Sequence, residues 1–233
     1  MRNEGNTADG RFSAACWGFH RMVKIWVDEK EIEAQEGLKL LQVCLDHGIY
    51  VPNLCFLAHM ESPSASCRLC FVEIEGMEKP VPSCTLEVRE GVVVRTDSSV
   101  VRDLQKSAFR LFMSVHHVDC SHCPGNRRCE LQRIAKFLRI GLRPGKLEKF
   151  LKEPAIIREH PLLDYYPNRC VLCGKCLHTC LSRQVKPMLD FAKRGFNTVI
   201  SFYGTSSSGS ACETCLACVQ VCPVSALTIR GQG

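Results

Sequence analysis

Residues 170–180 read CVLCGKCLHTC and residues 212–222 read CETCLACVQVC, so the pattern C-x2-C-x2-C-x3-C occurs twice in the last third of the chain. Three thiolates at two-residue intervals can bind three corners of a cubane cluster. A fourth cysteine, expected at the start of a helix that points away, suits a second cluster. The repeat therefore predicts two [4Fe–4S] clusters, one on Cys170, Cys173, Cys176 and Cys222 and the other on Cys180, Cys212, Cys215 and Cys218.

Disulfides and zinc are the alternatives for a chain with 17 cysteines in 233 residues. Most of these cysteines are separated from another by only two or three residues, which is too close for a typical disulfide but suits two ligands of one ion or cluster. Tetrahedral zinc commonly uses two C-x2-C pairs with a longer gap and leaves three closely spaced cysteines unexplained. The prediction is a metal-rich cytosolic protein, with a zinc-stabilised binding protein as the remote alternative.

The first third of the chain predicts a small sheet with one helix. Residues 23–27 alternate like a strand, a second short strand is expected at residues 31–34, and residues 38–47 indicate a helix. Further strands are expected at residues 71–74 and 91–94. Four cysteines lie between and after these predicted elements, namely Cys55, Cys67, Cys70 and Cys84. Their spacings of x11, x2 and x13 differ from the C-x4-C-x2-C spacing of plant ferredoxins.

A third group follows a helix predicted over residues 100–115 and precedes one predicted over residues 130–138. Its pattern is His116-x3-Cys120-x2-Cys123-x5-Cys129. A histidine here commonly caps the preceding helix, but the three spaced cysteines favour a ligand. A neutral imidazole in place of a thiolate should raise the potential of a cluster. The neighbouring candidates are His117 and His122 as alternatives to His116, and Asp119 and Arg127 as supporting residues.

These motifs resemble a known family. Pro52-Asn53-Leu54-Cys55, the SCRLCFVE run at residues 66–73 and Pro82-Ser83-Cys84 resemble the [2Fe–2S] domain of the largest iron–sulphur subunit of NADH dehydrogenase (complex I). The same domain occurs in iron-only hydrogenases and in the diaphorase small subunit of NAD-linked nickel–iron hydrogenases. The His116 group, with Glu130-Leu131-Gln132 after its last cysteine, matches the family's [4Fe–4S] motif of one histidine and three cysteines.

The resemblance implies one [2Fe–2S] and three [4Fe–4S] clusters. The [2Fe–2S] cluster would be bound by Cys55, Cys67, Cys70 and Cys84, and the additional [4Fe–4S] cluster by His116, Cys120, Cys123 and Cys129. Two cysteines are left over. Cys44 lies among leucines in the predicted helix and is expected to be a buried structural thiol. Cys16 lies in the polar lead and is expected to bind nothing.

The formal net charge of +6 does not indicate nucleic-acid binding. That count treats cysteines as neutral, whereas bound cysteines are thiolates, and four oxidised clusters with their ligands would carry about −7 together. The loaded protein would be nearly neutral, so we expect no nucleic-acid partner. The basic residues near the third group are expected to balance a cluster or to form a solvated helix face: Arg127, Arg128, Arg133, Lys136 and Arg139.

The predicted fold class is α+β with three cluster-binding domains. Residues 1–21 are expected to be a disordered extension. Residues 22–99 would form a [2Fe–2S] ferredoxin-like β-grasp domain, and residues 100–140 a small helical [4Fe–4S] domain with one histidine and three cysteine ligands. An extended connector at residues 141–167 would lead to a bacterial-ferredoxin-like 2[4Fe–4S] domain at residues 168–233.

The sequence contains no G-x-G-x-x-G after a strand and no P-loop, so no flavin or nucleotide is expected on this chain. Because every candidate ligand is assigned to a cluster, no active site is expected either. The resemblance implies an electron-transfer subunit between a flavin/NAD(P)(H)-binding subunit and a hydrogenase module, of NAD(P)-linked or electron-bifurcating type. The same role in a formate dehydrogenase, another bifurcating reductase or an NADH dehydrogenase-like complex is the alternative. Without a signal peptide or apolar span, a cytoplasmic protein with no membrane insertion is expected.

Overall fold

A computed structural model places most of the chain after residue 20. It describes residues 21–58, 60–143, 145, 147–184, 187–203 and 215–231. Three predictions fall outside these residues: nearly all of the disordered extension, the unassigned Cys16 and the proposed ligand Cys212.

A β-hairpin opens the described part of the chain. Strand β1 (Met22–Val27) pairs antiparallel with β2 (Lys30–Gln35) over six residues. Val23, Ile25 and Val27 are buried on one face because successive side chains of a strand point to opposite sides. The predicted alternation over residues 23–27 is therefore confirmed.

The hairpin belongs to a five-stranded sheet with the order β2-β1-β5-β3-β4. Strands β3 (Phe71–Ile74), β4 (Val81–Pro82) and β5 (Val93–Arg95) complete it, and only β1 and β5 run parallel. Helix α1 (Leu40–Asp46) buries Leu40, Leu41, Val43 and Cys44 against this sheet. The two-residue strand β4 was not predicted, because its pairing with β3 rather than a local pattern defines it.

Two helices form the middle of the chain. Helix α2 (Ser99–Val115) begins after Ser98, whose hydroxyl accepts a hydrogen bond from the Val101 N–H at 3.2 Å. Helix α3 (Glu130–Leu138) ends at Arg139 in the left-handed conformation. Both helices match their predicted ranges within one residue, since each has a clear apolar face.

In the last third, the described residues form two short antiparallel strand pairs and two helices. Strand β6 (Leu163–Tyr165) pairs with β9 (Leu227–Ile229), and β7 (Leu189–Ala192) pairs with β8 (Val199–Phe202). The helices are α4 (Lys175–Arg183) and α5 (Ala217–Gln220). Strand β6 lies inside the segment predicted to be an extended connector, because its partner is more than 60 residues away along the chain.

The fourth cysteines of the repeat do not lie at helix starts, so that prediction is wrong. Helix α4 begins at Lys175 and places Cys180 in its second half, while Cys222 follows the end of α5. The physical reason is at Gly174, whose positive φ of 74° turns the backbone into the helix before the third cysteine.

Two buried apolar cores hold these elements. The first lies between the five-stranded sheet and α1, and the second is shared by α2, α3 and the strands of the last third. Leu54, Cys55, Cys67 and Leu69 belong to the second core, so the first cysteine group lies where the two cores meet. Among the residues described, none of the helices is both long enough and apolar enough to span a bilayer.

Tyr50 joins the first sheet region to helix α3. Its hydroxyl donates to a Glu130 carboxylate oxygen at 2.9 Å, and its ring centroid lies 4.8 Å from that of Phe137. The Arg133 guanidinium lies over the Tyr50 ring at 4.2 Å. Arg133, one of the basic residues expected to balance the charge of a cluster, therefore packs between the first sheet region and helix α3.

Candidate iron–sulphur cluster sites

The first cysteine group converges in loops beside the five-stranded sheet. Cys55, Cys67, Cys70 and Cys84 are all buried, with at most 4% of each residue exposed. Cys70 directly precedes β3, and Cys84 follows β4. The backbone N–H and the hydroxyl of Ser83 both donate to the Cys70 carbonyl, at 2.9 and 2.8 Å. The strand pair thus holds these two cysteines side by side.

The four thiols of this group contact one another in pairs. A hydrogen bond with Cys67 lowers the pKa of Cys55 to about 5, while the same bond and burial raise the pKa of Cys67. In the second pair, the hydrogen bond with Cys84 and burial raise the pKa of Cys70. Four buried sulphurs cannot all become thiolates without a compensating cation. The group fits an iron centre, which supplies that positive charge.

The loop before Cys67 presents further donors to the same group. The hydroxyls of Ser64 and Ser66 hydrogen-bond to Cys55 and contribute to its lowered pKa. Ala65 and Arg68 have positive φ angles of 50° and 53°, so the backbone bends sharply around the cysteines. The sequence analysis assigned no role to these two hydroxyls.

His116 directly follows α2, and 9% of it is exposed. Its Nδ1 lies 3.1 Å from the Arg169 carbonyl oxygen. Since a carbonyl only accepts, Nδ1 carries the hydrogen and Nε2 keeps a free lone pair, as in most histidine ligands. Burial lowers the pKa of His116 to about 4. The imidazole is therefore neutral at pH 7, which is the state that can bind a metal.

The two neighbouring histidines have other contacts. His117 is exposed, and its backbone N–H donates to the Asn168 carbonyl at 2.7 Å. The His122 side chain is 80% exposed, and its Nδ1 lies 2.9 Å from the Asp119 carboxylate. Asp119 also accepts from Ser121, so the described contacts link this predicted supporting residue to the surface rather than to a cysteine.

The three cysteines after His116 lie on a short turn and at the start of α3. Cys120 begins a 3-10 turn that ends at His122, and Cys129 immediately precedes α3. Burial raises the pKa of Cys129, and the nearby sulphurs of Cys120 and Cys123 act in the same direction. Backbone N–H groups in the first turn of α3 donate to the Cys129 sulphur and oppose this rise.

The repeated motif lines two cavities in the last third of the chain. The first is lined by Cys170, Cys173, Cys176 and Cys222 between apolar walls. Backbone N–H groups donate to two of these sulphurs, from Leu172 to Cys170 at 3.4 Å and from Ala226 to Cys222 at 3.2 Å. Burial raises the pKa of Cys173 to about 12. A bound cation is therefore needed to form the thiolates.

The second cavity is lined by Cys180, Cys215 and Cys218. The Met188 N–H donates to the Cys180 sulphur at 3.3 Å. The structure thus brings Cys180 to the second motif and Cys222 to the first, while Cys212 lies outside the described residues. Across the described residues, no three His, Cys, Asp or Glu side chains meet closely enough to bind a single metal ion.

Two hydrogen bonds to backbone carbonyls join the His116 group to the first cavity. His116 bonds to the carbonyl of Arg169, the residue before Cys170. The Glu130 N–H, next to Cys129, donates at 2.9 Å to the carbonyl of Pro223, the residue after Cys222. Ligand candidates of the two groups are therefore separated by single hydrogen-bonded peptide groups.

The remaining described cysteine is Cys44, which is fully buried in α1 as predicted. Burial raises its pKa to about 12, so it behaves as an unreactive apolar group. Sequence reasoning missed two buried residues near Cys170, namely Tyr165 and Lys152. Neither belongs to a motif, and both lie in the segment predicted to be a connector.

Comparisons with known proteins agree with this arrangement. Residues 20–99 match a family described as a 2Fe-2S iron-sulfur cluster binding domain, and residues 169–226 match a 4Fe-4S dicluster domain. Together the two matches cover more than half of the chain.

The relatives are subunits of large oxidoreductases. A subunit of the NADH-quinone oxidoreductase of Rhizobium meliloti is 31% identical over 88% of this chain and 24% of its own length. The HndD subunit of the NADP-reducing hydrogenase of Solidesulfovibrio fructosivorans is 31% identical over 88% of this chain and 36% of its own length. The chain thus spans about a quarter to a third of these curated relatives.

A solved structure extends the similarity to the fold. A chain of an NAD+-reducing [NiFe]-hydrogenase in the H2-reduced state superposes with a TM-score of 0.78 at 27% identity, over 91% of this chain and 88% of that one. The motifs, the two domain matches and this superposition agree. The chain therefore combines a [2Fe–2S] domain with a [4Fe–4S] dicluster domain, and over most of its length it is similar to subunits of NAD(P)-linked oxidoreductases.

Proposed function

We propose that this chain is a non-catalytic, cytoplasmic subunit that carries single electrons between a flavin/NAD(P)(H)-binding subunit and the catalytic module of a hydrogenase. The observation that carries the proposal is the superposition with the NAD+-reducing [NiFe]-hydrogenase chain, which spans almost the whole of both chains. When bound, iron–sulphur clusters supply centres that take up and release one electron at a time with little rearrangement of the protein.

The proposed ligands make up four clusters rather than the three that the two domain matches account for. The additional cluster belongs to a small helical domain at residues 100–140, between a β-grasp domain at 22–99 and a ferredoxin-like domain at 168–233. The [2Fe–2S] ligands are Cys55, Cys67, Cys70 and Cys84, and those of the additional [4Fe–4S] cluster are His116, Cys120, Cys123 and Cys129. The other two [4Fe–4S] clusters are assigned to Cys170, Cys173, Cys176 and Cys222, and to Cys180, Cys212, Cys215 and Cys218.

The protein's contribution is to hold iron in a dry, rigid environment. Buried sulphurs at the first cysteine group and apolar walls at the Cys170 cavity limit the access of water, which limits reorganisation when an electron arrives. Amide and hydroxyl donors to the sulphurs stabilise their negative charge. The neutral imidazole of His116 gives its site one negative charge fewer than four thiolates would.

The packing of the sites supports their use as a relay. The first cysteine group lies at the meeting point of the two cores, and single peptide groups link the His116 group to the Cys170 cavity. Helix α4 carries Cys176 of the first cavity and Cys180 of the second. This proximity suits transfer between neighbouring sites without large motion.

An NADH dehydrogenase-like complex is the second candidate. The observation that favours it is the 31% identity to the NADH-quinone oxidoreductase subunit of Rhizobium meliloti over most of this chain. The two candidates differ in the partner beyond the relay, a hydrogenase module or a quinone-reducing one. The subunits that co-purify with the chain distinguish them.

The experiment that tests the relay separates this chain from its partners. The purified chain should accept electrons from dithionite and pass them to a dye, yet it should not oxidise NADH or NADPH. Addition of the flavin-binding subunit purified from the same complex should restore NAD(P)H-dependent dye reduction. Dye reduction with NAD(P)H by the chain alone would contradict the proposal, because it requires a nucleotide site on this chain.

A further inference from the structure

Tyr165 is held rigidly at the end of β6, where its side chain is fully buried. Its backbone N–H and carbonyl both bond to Ile157, at 3.0 and 2.8 Å, and it pairs with Leu227 of β9. The residue lines the same cavity as Cys170 and Cys222. A tyrosine fixed in this way has little freedom to move its hydroxyl away from the cavity.

The hydroxyl of Tyr165 has a partner on each side. Its oxygen accepts from the Ile200 N–H of β8 at 3.2 Å. It also lines the same cavity as Cys170 and interacts with that side chain. Because the backbone amide can only donate, the oxygen's lone pair serves Ile200 and its hydrogen is available for the Cys170 sulphur.

A second electropositive group acts on the same sulphur. Lys152 is only 7% exposed, and its ammonium group interacts electrostatically with Cys170. The backbone of Lys152 is fixed by two hydrogen bonds with the Asn168 side chain, at 2.7 and 2.9 Å. The Tyr165 hydroxyl and the Lys152 ammonium group thus partly offset the cost of burying negative charge on the Cys170 sulphur.

Donors to a ligand sulphur stabilise the reduced form of a cluster more than the oxidised form, because reduction increases the negative charge on the sulphurs. Hydrogen bonds to the sulphurs are accordingly among the factors that set cluster potentials. A buried donor is effective because water does not compete with it. The Tyr165 hydroxyl meets each of these conditions.

We propose that Tyr165 is a positioning residue that raises the reduction potential of the [4Fe–4S] cluster bound by Cys170, Cys173, Cys176 and Cys222, through a hydrogen bond to the Cys170 sulphur. The inference rests on the proposed function, since it requires this cluster. Its consequence is that this site retains an electron more readily than it would with phenylalanine at position 165.

The test is a redox titration of the loaded chain followed by EPR, comparing Tyr165→Phe with the wild type. The signal of this cluster is identified beforehand as the one that Cys173→Ser alters. At a fixed potential near the wild-type midpoint, the reduced-to-oxidised ratio should fall about tenfold in Tyr165→Phe, which corresponds to 59 mV for a one-electron couple. The other signals should keep their midpoints.

Tyr50→Phe is the matched control. It also removes a hydroxyl hydrogen bond at a partly buried position, but its acceptor is Glu130 rather than a cysteine. Its destabilisation should be comparable, and the midpoint of the Cys170 cluster should stay unchanged. A purely structural role for Tyr165 would give the same unchanged midpoint in Tyr165→Phe.

Phenylalanine at position 165 leaves the buried Ile200 N–H without an acceptor, so Tyr165→Phe can lose its clusters. A second variant then provides the test. Placing 3-fluorotyrosine at position 165 alone retains the hydroxyl and makes it a stronger donor, so the midpoint should rise. If a variant retains all cluster signals and the midpoint of the Cys170 cluster is unchanged, the inference about Tyr165 is wrong and the proposed function stands. If the reconstituted wild-type protein lacks this cluster, the proposed function is wrong as well.

Discussion

At the scale of single residues, His116 shows how one side chain can have two local interpretations. Its position after α2 is that of a helix cap, but its Nδ1 bonds to Arg169 rather than to the helix it follows. Burial keeps the ring neutral by lowering its pKa to about 4. The tautomer and the charge are therefore those of a ligand, and Nε2 remains available.

Replacement of His116 tests this assignment directly. In His116→Cys the site should keep a cluster whose midpoint potential is lower, because a thiolate adds a negative charge where imidazole added none. In His116→Ala the same cluster should be lost or converted, while the other clusters persist. Reduced-state EPR at several temperatures, with iron content, measures both effects.

His122→Ala is the control, since the His122 side chain is exposed and paired with Asp119. It should leave every signal unchanged. If His116→Ala also leaves every signal unchanged, His116 is a helix cap only, and the assignment is wrong.

At the scale of elements, helix α2 begins at a local capping residue and positions His116 at its other end. The helix carries His116 at its end, and it buries Val101, Phe109 and Met113 in packing against the rest of the chain. Its start depends on Ser98, which satisfies the Val101 N–H. Loss of this cap should loosen the first turn without touching any cysteine.

Ser98→Ala should therefore lower the free energy of unfolding by about 1 kcal/mol, the usual cost of removing a helix cap. Ser98→Asp should retain most of the stability, because its carboxylate can accept the same hydrogen bond. Chemical denaturation of the loaded chain measures both, and Ser99→Ala, at an exposed position one residue later, is the control. Equal stability in Ser98→Ala and Ser99→Ala would show that the cap contributes nothing.

At the scale of the whole molecule, the proposed ligand groups predict the number of clusters. The two family matches account for a [2Fe–2S] domain and a dicluster [4Fe–4S] domain, which together need about 10 iron atoms. The proposed fourth site, at His116, lies between them in the sequence. The His116 imidazole and the Glu130 backbone N–H hydrogen-bond to carbonyls beside Cys170 and Cys222.

Anaerobic reconstitution should give about 14 iron atoms per chain and as many acid-labile sulphides, because the His116 group adds one [4Fe–4S] cluster. Cys129→Ser should lower the iron content by about four atoms, whereas Cys44→Ala, at a buried thiol with no assigned ligand role, should leave it unchanged. Iron and sulphide assays measure this. A wild-type content near 10, or an equivalent amount of zinc, would refute the four-cluster assignment.

The amino-acid sequence by itself determined the spacing of the cysteine groups, the order of the [2Fe–2S] and dicluster domains, and helices α2 and α3. These features depend on spacing within a few residues, because ligand motifs and helical periodicity are local. The strand predictions at residues 23–27 and 71–74 succeeded for the same reason, since alternation shows in a single strand.

Only the tertiary structure decided the features that depend on distant partners. Strand β6 exists because it pairs with β9, and the orientation of His116 depends on a carbonyl 53 residues away. Tyr165 reaches Cys170 because Ile200 of another strand pair holds its hydroxyl in place. Short strands and buried hydrogen bonds are stabilised by neighbours brought together through folding, and the local sequence carries no record of which neighbours those are.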